Sequence, residues 1–316
     1  MSAPHPRRTP ATPRVSLGMP VFNGERYLEE ALRSLLAQTF EDFELLVYDN
    51  ASADRTRTIC LDYAARDARI RYRRNAENVG FVRNQNAVIE DARGKYFLLT
   101  HHDDVRLPTY LERTIEVLDA DDGVTVCYTV TRDIDEHGRF LPREDPVLRL
   151  ASDDPRERFR DVIRMDHLCE ADFGLTRLDA LRQTRLHGAY ADSDRVLLAE
   201  LLLRGRFHRI PECLFHRRAH ALQSTAIAPD RQGRTVWFDP AVRDRLVFPH
   251  FREFREYLAA IGRAPVGLGT RLSCYAAMVR WLGTNRRRLI SDVDFAGRQL
   301  LRPLKRAAMR RSGRLR

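Results

Sequence analysis

Tyr96-Phe97-Leu98-Leu99-Thr100-His101-His102-Asp103-Asp104 is the stretch on which the reading of this chain turns. Four consecutive apolar residues predict a strand buried on both faces, as in the middle of a parallel sheet. Five polar residues follow at once, and two of them are adjacent carboxylates. Such a pair directly after a buried strand repels itself and resists desolvation. A bound cation removes both penalties. Hard carboxylate oxygens suit Mg²⁺ or Mn²⁺, which leave positions open to substrate phosphates. A second reading stays open on these residues alone: Asp103 and Asp104 cap the helix after Pro108, or sit in a solvated loop.

Outward from this stretch, strand and helix signals alternate. Apolar runs at residues 15–19, 43–48, 70–73, 96–99 and 124–130 read as strands. Residues 27–38 carry Leu28, Ala31, Leu32, Leu35 and Leu36 at helical spacing, and further helices are expected through Ile59, Leu61 and Ala64 and over 82–92. The expectation is an α/β fold with a mostly parallel sheet and helices on both faces. Ligands of such sheets bind beyond the carboxyl ends of the strands. Polar clusters gather there: Pro20-Val21-Phe22-Asn23-Gly24-Glu25 after the first strand and Asp49-Asn50-Ala51-Ser52-Ala53-Asp54 after the second. Asp49 is either a turn residue or an acceptor for a nucleobase N–H. Asn78-Val79-Gly80 precedes a helix carrying Asn84 and Asn86. Gly80 permits close backbone approach and the asparagines suit ribose or phosphate, although this segment alone favours a loop and an exposed helix face.

The second half is less regular. Residues 195–204 predict a helix ended by Gly205, 207–210 a short strand, and 242–281 more helix. The organisation expected is a lead-in over 1–13, a catalytic domain over 14–225, a helical region over 226–285 and a basic amphipathic tail over 286–316.

Of 316 residues, 43% are hydrophobic and 31% charged, which are globular values. The net charge of +10 is carried by the ends. Residues 286–316 account for +9 and the first fourteen for +3, which leaves residues 15–285 near neutral at −2. That argues for an anionic surface touched by the tail, such as a membrane leaflet, and against a nucleic-acid groove across the body. Five cysteines without a CxxC spacing suit free thiols in a reducing compartment. No apolar run reaches a membrane span and no signal core precedes the first strand, so a cytoplasmic protein is expected, peripheral at most at the inner face of the membrane.

Taken together, the motifs resemble the family 2 glycosyltransferases, which have the GT-A fold. The matching residues are Pro20-Val21-Phe22-Asn23-Gly24-Glu25, Asp49-Asn50-Ala51-Ser52-Ala53-Asp54, Asn78-Val79-Gly80 with Asn86, and Tyr96-Phe97-Leu98-Leu99 leading into His102-Asp103-Asp104. The resemblance implies inverting transfer from a nucleoside-diphosphate sugar with Mn²⁺ or Mg²⁺. It implies donor contacts by Pro20, Phe22, Asn23, Glu25, Asp49, Asn50, Ser52, Asp54, Gly80, Asn84, Asn86, His102, Asp103 and Arg218, with Asp49 on the base, and metal ligation by Asp104, Asp103 and His220. The family often has an acidic residue where His101 stands, and this chain looks like its His-Asp-Asp subset. His101 and His102 are read as metal or phosphate contacts, or, more often for strand-end histidines, as hydrogen-bonded structural residues.

The family's general base lies at the start of a helix in an Asp-x-x-Leu setting, which Asp194-Arg195-Val196-Leu197 fits, with Asp192 two residues earlier. Either aspartate also suits an N-cap. Phe173-Gly174-Leu175-Thr176-Arg177 resembles the family's acceptor-side strand. In His216-Arg217-Arg218-Ala219-His220, Arg218 and His220 reach the diphosphate or metal by the same resemblance, or belong to a solvated basic loop. The donor expected is a UDP- or dTDP-sugar. The acceptor is expected among lipid-linked or envelope glycans. Two alternatives stand beside this reading: a nucleotidyltransferase on a similar sheet, and a non-catalytic nucleotide- or carbohydrate-binding descendant. No GxxxxGK[ST] loop is present and no GxGxxG follows the first strand, which argues against P-loop and dinucleotide enzymes.

Overall fold

Alternating apolar strands and amphipathic helices build one sheet covered on both faces. The computed structural model describes residues 12–142, 148–165, 167–221 and 245–311, with positions 223, 233, 235, 238 and 242, and side chains as far as Gly297. Most of the expected lead-in and the side chains of the last tail residues lie outside the described residues. The strands are β1 (Val15–Val21), β2 (Phe43–Asp49), β3 (Ile70–Arg74), β4 (Tyr96–Leu99), β5 (Val105–Arg106), β6 (Val124–Ile134), β7 (Leu175–Arg177) and β8 (Arg206–Arg218). The helices are α1 (Leu28–Leu36), α2 (Thr56–Arg66), α3 (Phe81–Asp91), α4 (Tyr110–Ala120), α5 (Pro155–Arg164), α6 (Leu178–Arg182), α7 (Ser193–Leu202), α8 (Pro249–Arg263) and α9 (Leu268–Arg311).

The sheet order is β3-β2-β1-β4-β7-β6-β8-β5. β1, β2, β3 and β4 are mutually parallel, as is β8 to β6. β7 runs antiparallel to both β4 and β6, and β5 antiparallel to β8. Every residue of β1, β2 and β4 is buried, which explains their unbroken apolar runs. Tyr96 and Leu98 pack on the face covered by α1, α2 and α4, while Phe97 and Leu99 pack on the face covered by α3 and α5 to α9. Each such large side chain contributes about 1.5–3 kcal/mol through burial.

Two segments differ from the sequence expectation. The strand expected over 207–210 is β8, which runs on to Arg218. Its register on β6 jumps from Thr129↔Ile210 to Val130↔Cys213, so Pro211 and Glu212 form a bulge. The bulge is where a residue without an N–H can sit in a ladder, and it carries His216, Arg217 and Arg218 to the sheet's carboxyl edge. At the C-terminus, α9 is one continuous helix of 44 residues, on the order of 65 Å long, and crosses the expected boundary at residue 286 without a break. Leu289, Asp292 and Ala296 are buried, so the first turns of the basic segment pack on the body. Asp292 accepts hydrogen bonds from the His250 N–H (2.8 Å) and the Phe251 N–H (3.2 Å) and pairs with His250 Nδ1 (2.7 Å). Among the described residues, no helix is long and apolar enough to cross a membrane.

Candidate active site

Beyond Gly18↔Leu99, β1 and β4 part, and the crevice opens. Pro20 lies past this point, where β1 keeps only β2 as a neighbour, so its missing N–H costs no bond to β4. The loops after β1 and β2 clasp each other there. The Asn23 N–H donates to Ser52 Oγ (2.9 Å) and Asn23 Oδ1 accepts from the Ala53 N–H (2.9 Å). Asp54 accepts from the Glu25 N–H (3.0 Å), and Glu25 in turn accepts from the Arg55 N–H (3.0 Å). Asn23 adopts φ 50°, a left-handed turn open to asparagine. A Cβ on Gly24 would sit 2.7 Å from the His102 ring, so glycine is what lets the His102 loop close over this clasp. Phe22 remains 45% exposed and faces solvent at the crevice mouth.

Asp49 is fully buried. Its oxygens accept from the Ser52 N–H and the Tyr72 hydroxyl (each 2.8 Å), with Arg74 Nε at 3.3 Å. Asn50, Asn75, Asn78 and Asn84 form an amide network: Asn50 donates to Asn78 Oδ1 (2.8 Å), and Asn75 donates to Asn50 (3.1 Å) and Asn84 (2.9 Å). Asn84 donates to the Tyr48 carbonyl (2.8 Å). Gly80, at φ 88°, takes the N-cap position of α3. Asn86 uses both ends of its amide on the main chain of His187, donating to its carbonyl (2.9 Å) and accepting from its N–H (3.2 Å). The α3 asparagines therefore shape the crevice wall from behind. They are not the exposed helix face that the segment alone suggests.

His101, Asp103 and Asp104 bring one donor atom each to within 4.8 Å of one another. The carboxylates do not cap α4, whose N-cap position is Thr109. Asp103 Oδ2 lies 2.8 Å from His220 Nε2, and Asp104 Oδ1 accepts from the Arg218 N–H (3.0 Å). Arg218 is 2% exposed, not a solvated loop residue. Its guanidinium donates to the carbonyls of Asp103 (3.0 Å) and Asp135 (3.1 Å) and to Glu30 (2.7 Å), and stacks on Tyr27 at 4.7 Å. Arg218 and His220 thus brace the Asp103-Asp104 loop.

Burial and the neighbouring Asp103 charge push the Asp104 carboxyl up to about 8. Burial acts on Asp103 too, but the His220 hydrogen bond and the surrounding histidines outweigh it and hold that carboxyl well below its usual range. Burial also lowers His101 to about 4, which keeps the imidazole neutral. His101 Nε2 is buried without a hydrogen-bond partner. Two carboxylates that repel each other beside an orphaned neutral imidazole nitrogen form a donor set that fits a divalent cation.

The second half of the site stands on α7. Asp194, in its first turn, accepts from the adjacent Arg195 N–H (2.9 Å), and Asp192 holds the N-cap position at φ 66° without making a cap bond. Burial, then Asp172 and Asp192, raise the Asp194 pKa. Asp172, on the short helical turn Glu170–Phe173, is pushed up to about 7 by burial, and His187 Nε2 lies 3.5 Å from it. Phe173 links the two halves, its ring meeting His101 edge-on at 5.2 Å. Sequence reasoning missed Glu30, Tyr27, Asp172 and His187. They lie in helix or loop segments whose local pattern is ordinary, and only the chain path brings them here.

The profile of "Glycosyl transferase family 2" matches residues 16–183. An uncharacterised glycosyltransferase of Rickettsia prowazekii is 35% identical over 137 residues, 42% of this chain and 42% of that protein. One of Methanocaldococcus jannaschii is 32% identical over 136 residues, 42% of this chain and 47% of that protein. The chain thus spans a little under half the length of these relatives. Among solved structures, S. aureus TarS 1–349 in complex with UDP-GlcNAc superposes with a TM-score of 0.65 at 16% identity, over 90% of this chain and 81% of that one. The mannosyltransferase PcManGT from Pyrobaculum calidifontis, in complex with GDP-Man and Mn²⁺, gives 0.52 at 16%, over 93% and 86%. These likenesses establish a GT-A-like fold. The profile covers more than half of the chain and spans the strand-end motifs that line the crevice, and on that ground the chain belongs to glycosyl transferase family 2.

Proposed function

We propose that this glycosyltransferase moves a sugar from a UDP- or dTDP-sugar to an acceptor hydroxyl with inversion, assisted by Mn²⁺ or Mg²⁺. The observation that carries the reading is the buried Asp103-Asp104 pair with the orphaned His101 nitrogen at the sheet's carboxyl edge. His101, Asp103 and Asp104 would hold the cation, which when bound supplies positive charge toward the departing diphosphate. Asp49 and the amide network around Asn50 shape the base and ribose side, with Phe22 at the mouth. Asp194 takes the acceptor's proton; burial and the neighbouring Asp172 and Asp192 charges raise its affinity for one. Asp172 and His187 set its electrostatic surroundings. That TarS was solved with UDP-GlcNAc and PcManGT with GDP-Man and Mn²⁺ supports a nucleotide-sugar donor and a metal.

The acceptor is a lipid-linked or envelope glycan reached at the cytoplasmic face of a membrane. Support comes from α9, where Leu268, Leu272, Val279, Ile290 and Val293 are exposed. At about 100° per residue they fall within an arc of roughly 60°; Arg286 lies inside that arc and Arg287 next to it, while Arg288 points away from it. Such a face suits an anionic bilayer surface.

The test is donor hydrolysis. The protein is incubated with a panel of nucleotide sugars in Mn²⁺, Mg²⁺ or EDTA, with Asp104→Ala as control, and released nucleoside diphosphate is measured. Release from one donor, lost in EDTA and in the variant, is the expected result. Release that is indifferent to both sinks the metal assignment. An Asp194→Asn protein that binds donor yet transfers no sugar fits the base role, and undiminished transfer removes it.

A further inference from the structure

We infer that the pocket between Tyr190 and the start of α8 binds an anionic amphiphile, an apolar chain ending in a phosphate or carboxylate. This deepens the acceptor assignment above and rests on it for the occupant's role, though not for its binding. The pocket measures about 380 Å³, within the range of small-molecule sites. Its apolar wall includes Leu246, Phe248 and Phe251, which are 44%, 38% and 43% exposed, an unusual concentration of large apolar side chains facing water.

Arg245, Arg252 and Arg255 line the same pocket. Arg255 is paired with Glu256 at 3.2 Å, and Glu256 also pairs with Arg185. Among the described residues, no carboxylate lies within ion-pair distance of Arg245 or Arg252. Arg252 donates to the Ala189 carbonyl (3.2 Å) and stacks on Tyr190 at 4.8 Å, but its Nε is buried without a partner. Uncompensated guanidinium groups beside exposed aromatic rings complement a ligand with both an apolar body and a negative charge.

The pocket's position ties it to the reaction. Tyr190 lines it and stands four residues before Asp194. Thr235 and Val242 also line it, and Phe238, between them in the chain, packs on Phe81 at 5.8 Å. Phe81 in turn meets the His101 ring at 6.0 Å. On the other side, the Phe251 N–H is held by Asp292, which sets the pocket at the level of α9 where Ile290 and Val293 are exposed. The charged end of an amphiphile bound here meets Arg252, which stacks on Tyr190.

Calorimetric titration of the full chain with octyl phosphate, below its micelle-forming concentration, tests this, with 1-octanol and inorganic phosphate as the two halves of the probe. Octyl phosphate is expected to bind at least tenfold tighter than either half. Phe251→Ser and Arg245→Glu, both at exposed positions, are each expected to weaken it tenfold while leaving binding of the nucleotide UDP unchanged. Equal binding of 1-octanol or of phosphate alone, or either variant with undiminished octyl phosphate affinity, overturns the inference. The titration involves no turnover, so its outcome does not depend on the donor-hydrolysis screen, and a failure of either leaves the other standing.

Discussion

Asp104 is the residue in which the chemistry is most concentrated. Its carboxyl is pushed up to about 8 by burial and by Asp103, far above the value of about 4 in an unfolded chain. A raised folded-state pKa means the native protein holds a proton that the unfolded chain has released, so stability falls as pH rises toward 8. Below about 6.5 the neutral buried histidines His101 and His187 act in the opposite sense, because the unfolded chain protonates them first. Above about pH 6.5 the histidines drop out, which leaves the raised carboxyls Asp104, Asp172 and Asp194 acting in the same sense. In EDTA the melting temperature should fall from there toward pH 8, by up to roughly 1.4 kcal/mol of stability per pH unit for each carboxyl. Asp104→Asn should reduce that slope, and Mn²⁺ should reduce it in the parent protein and raise its melting temperature. An undiminished slope in Asp104→Asn would place its origin elsewhere, Asp172 being another buried carboxyl with a raised pKa. The Asp103-Asp104 pair was legible in the sequence because adjacent carboxylates after an apolar strand are locally anomalous. Arg218 was legible only as a motif match, and its brace on Glu30 and Tyr27 came from segments almost two hundred residues away in the chain.

At the scale of elements, the α3 asparagines tie distant parts of the main chain together. Asn86 pins the His187 main chain through both ends of its amide. Asn86→Ala leaves buried backbone groups unpaired, at a cost of about 1–3 kcal/mol. Chemical denaturation should show that loss. Sugar transfer should fall further than donor affinity, since the loop leading to Asp194 is what loosens; a variant that loses donor affinity in proportion would point to a direct donor contact instead. The same reasoning corrects the use of the tail. Deleting residues 286–316 removes Leu289 and Asp292 from the packed part of α9 and so tests the fold as well as the membrane. Deleting 298–316 should leave the melting temperature near that of the parent while weakening sedimentation with anionic liposomes, and unchanged sedimentation removes the membrane role of that segment. Asp292→Ala should destabilise the protein by about 1–3 kcal/mol through the loss of its bonds to His250 and Phe251, read in the same denaturation experiment.

At the scale of the whole molecule, the C-terminal helices and the sheet share one core. Tyr257 of α8 and Met278 and Trp281 of α9 belong to the same buried cluster as Phe97, Leu99 and the apolar face of α7. A chain ending at residue 225 would expose that face, and is expected to be insoluble or to unfold without a cooperative transition. A soluble, cooperatively melting fragment would show that the helices are an appendage. The amino-acid sequence by itself determined the α/β class, the continuous central strands and the polar clusters at their carboxyl ends, because hydrophobic period and turn chemistry are local properties. Only the tertiary structure decided three things: that β7 enters the sheet antiparallel, that a bulge at Pro211 lets β8 reach Asp104, and that the basic helix begins as part of the core. Each depends on which distant surfaces meet, and a residue's neighbours in the chain carry no record of that.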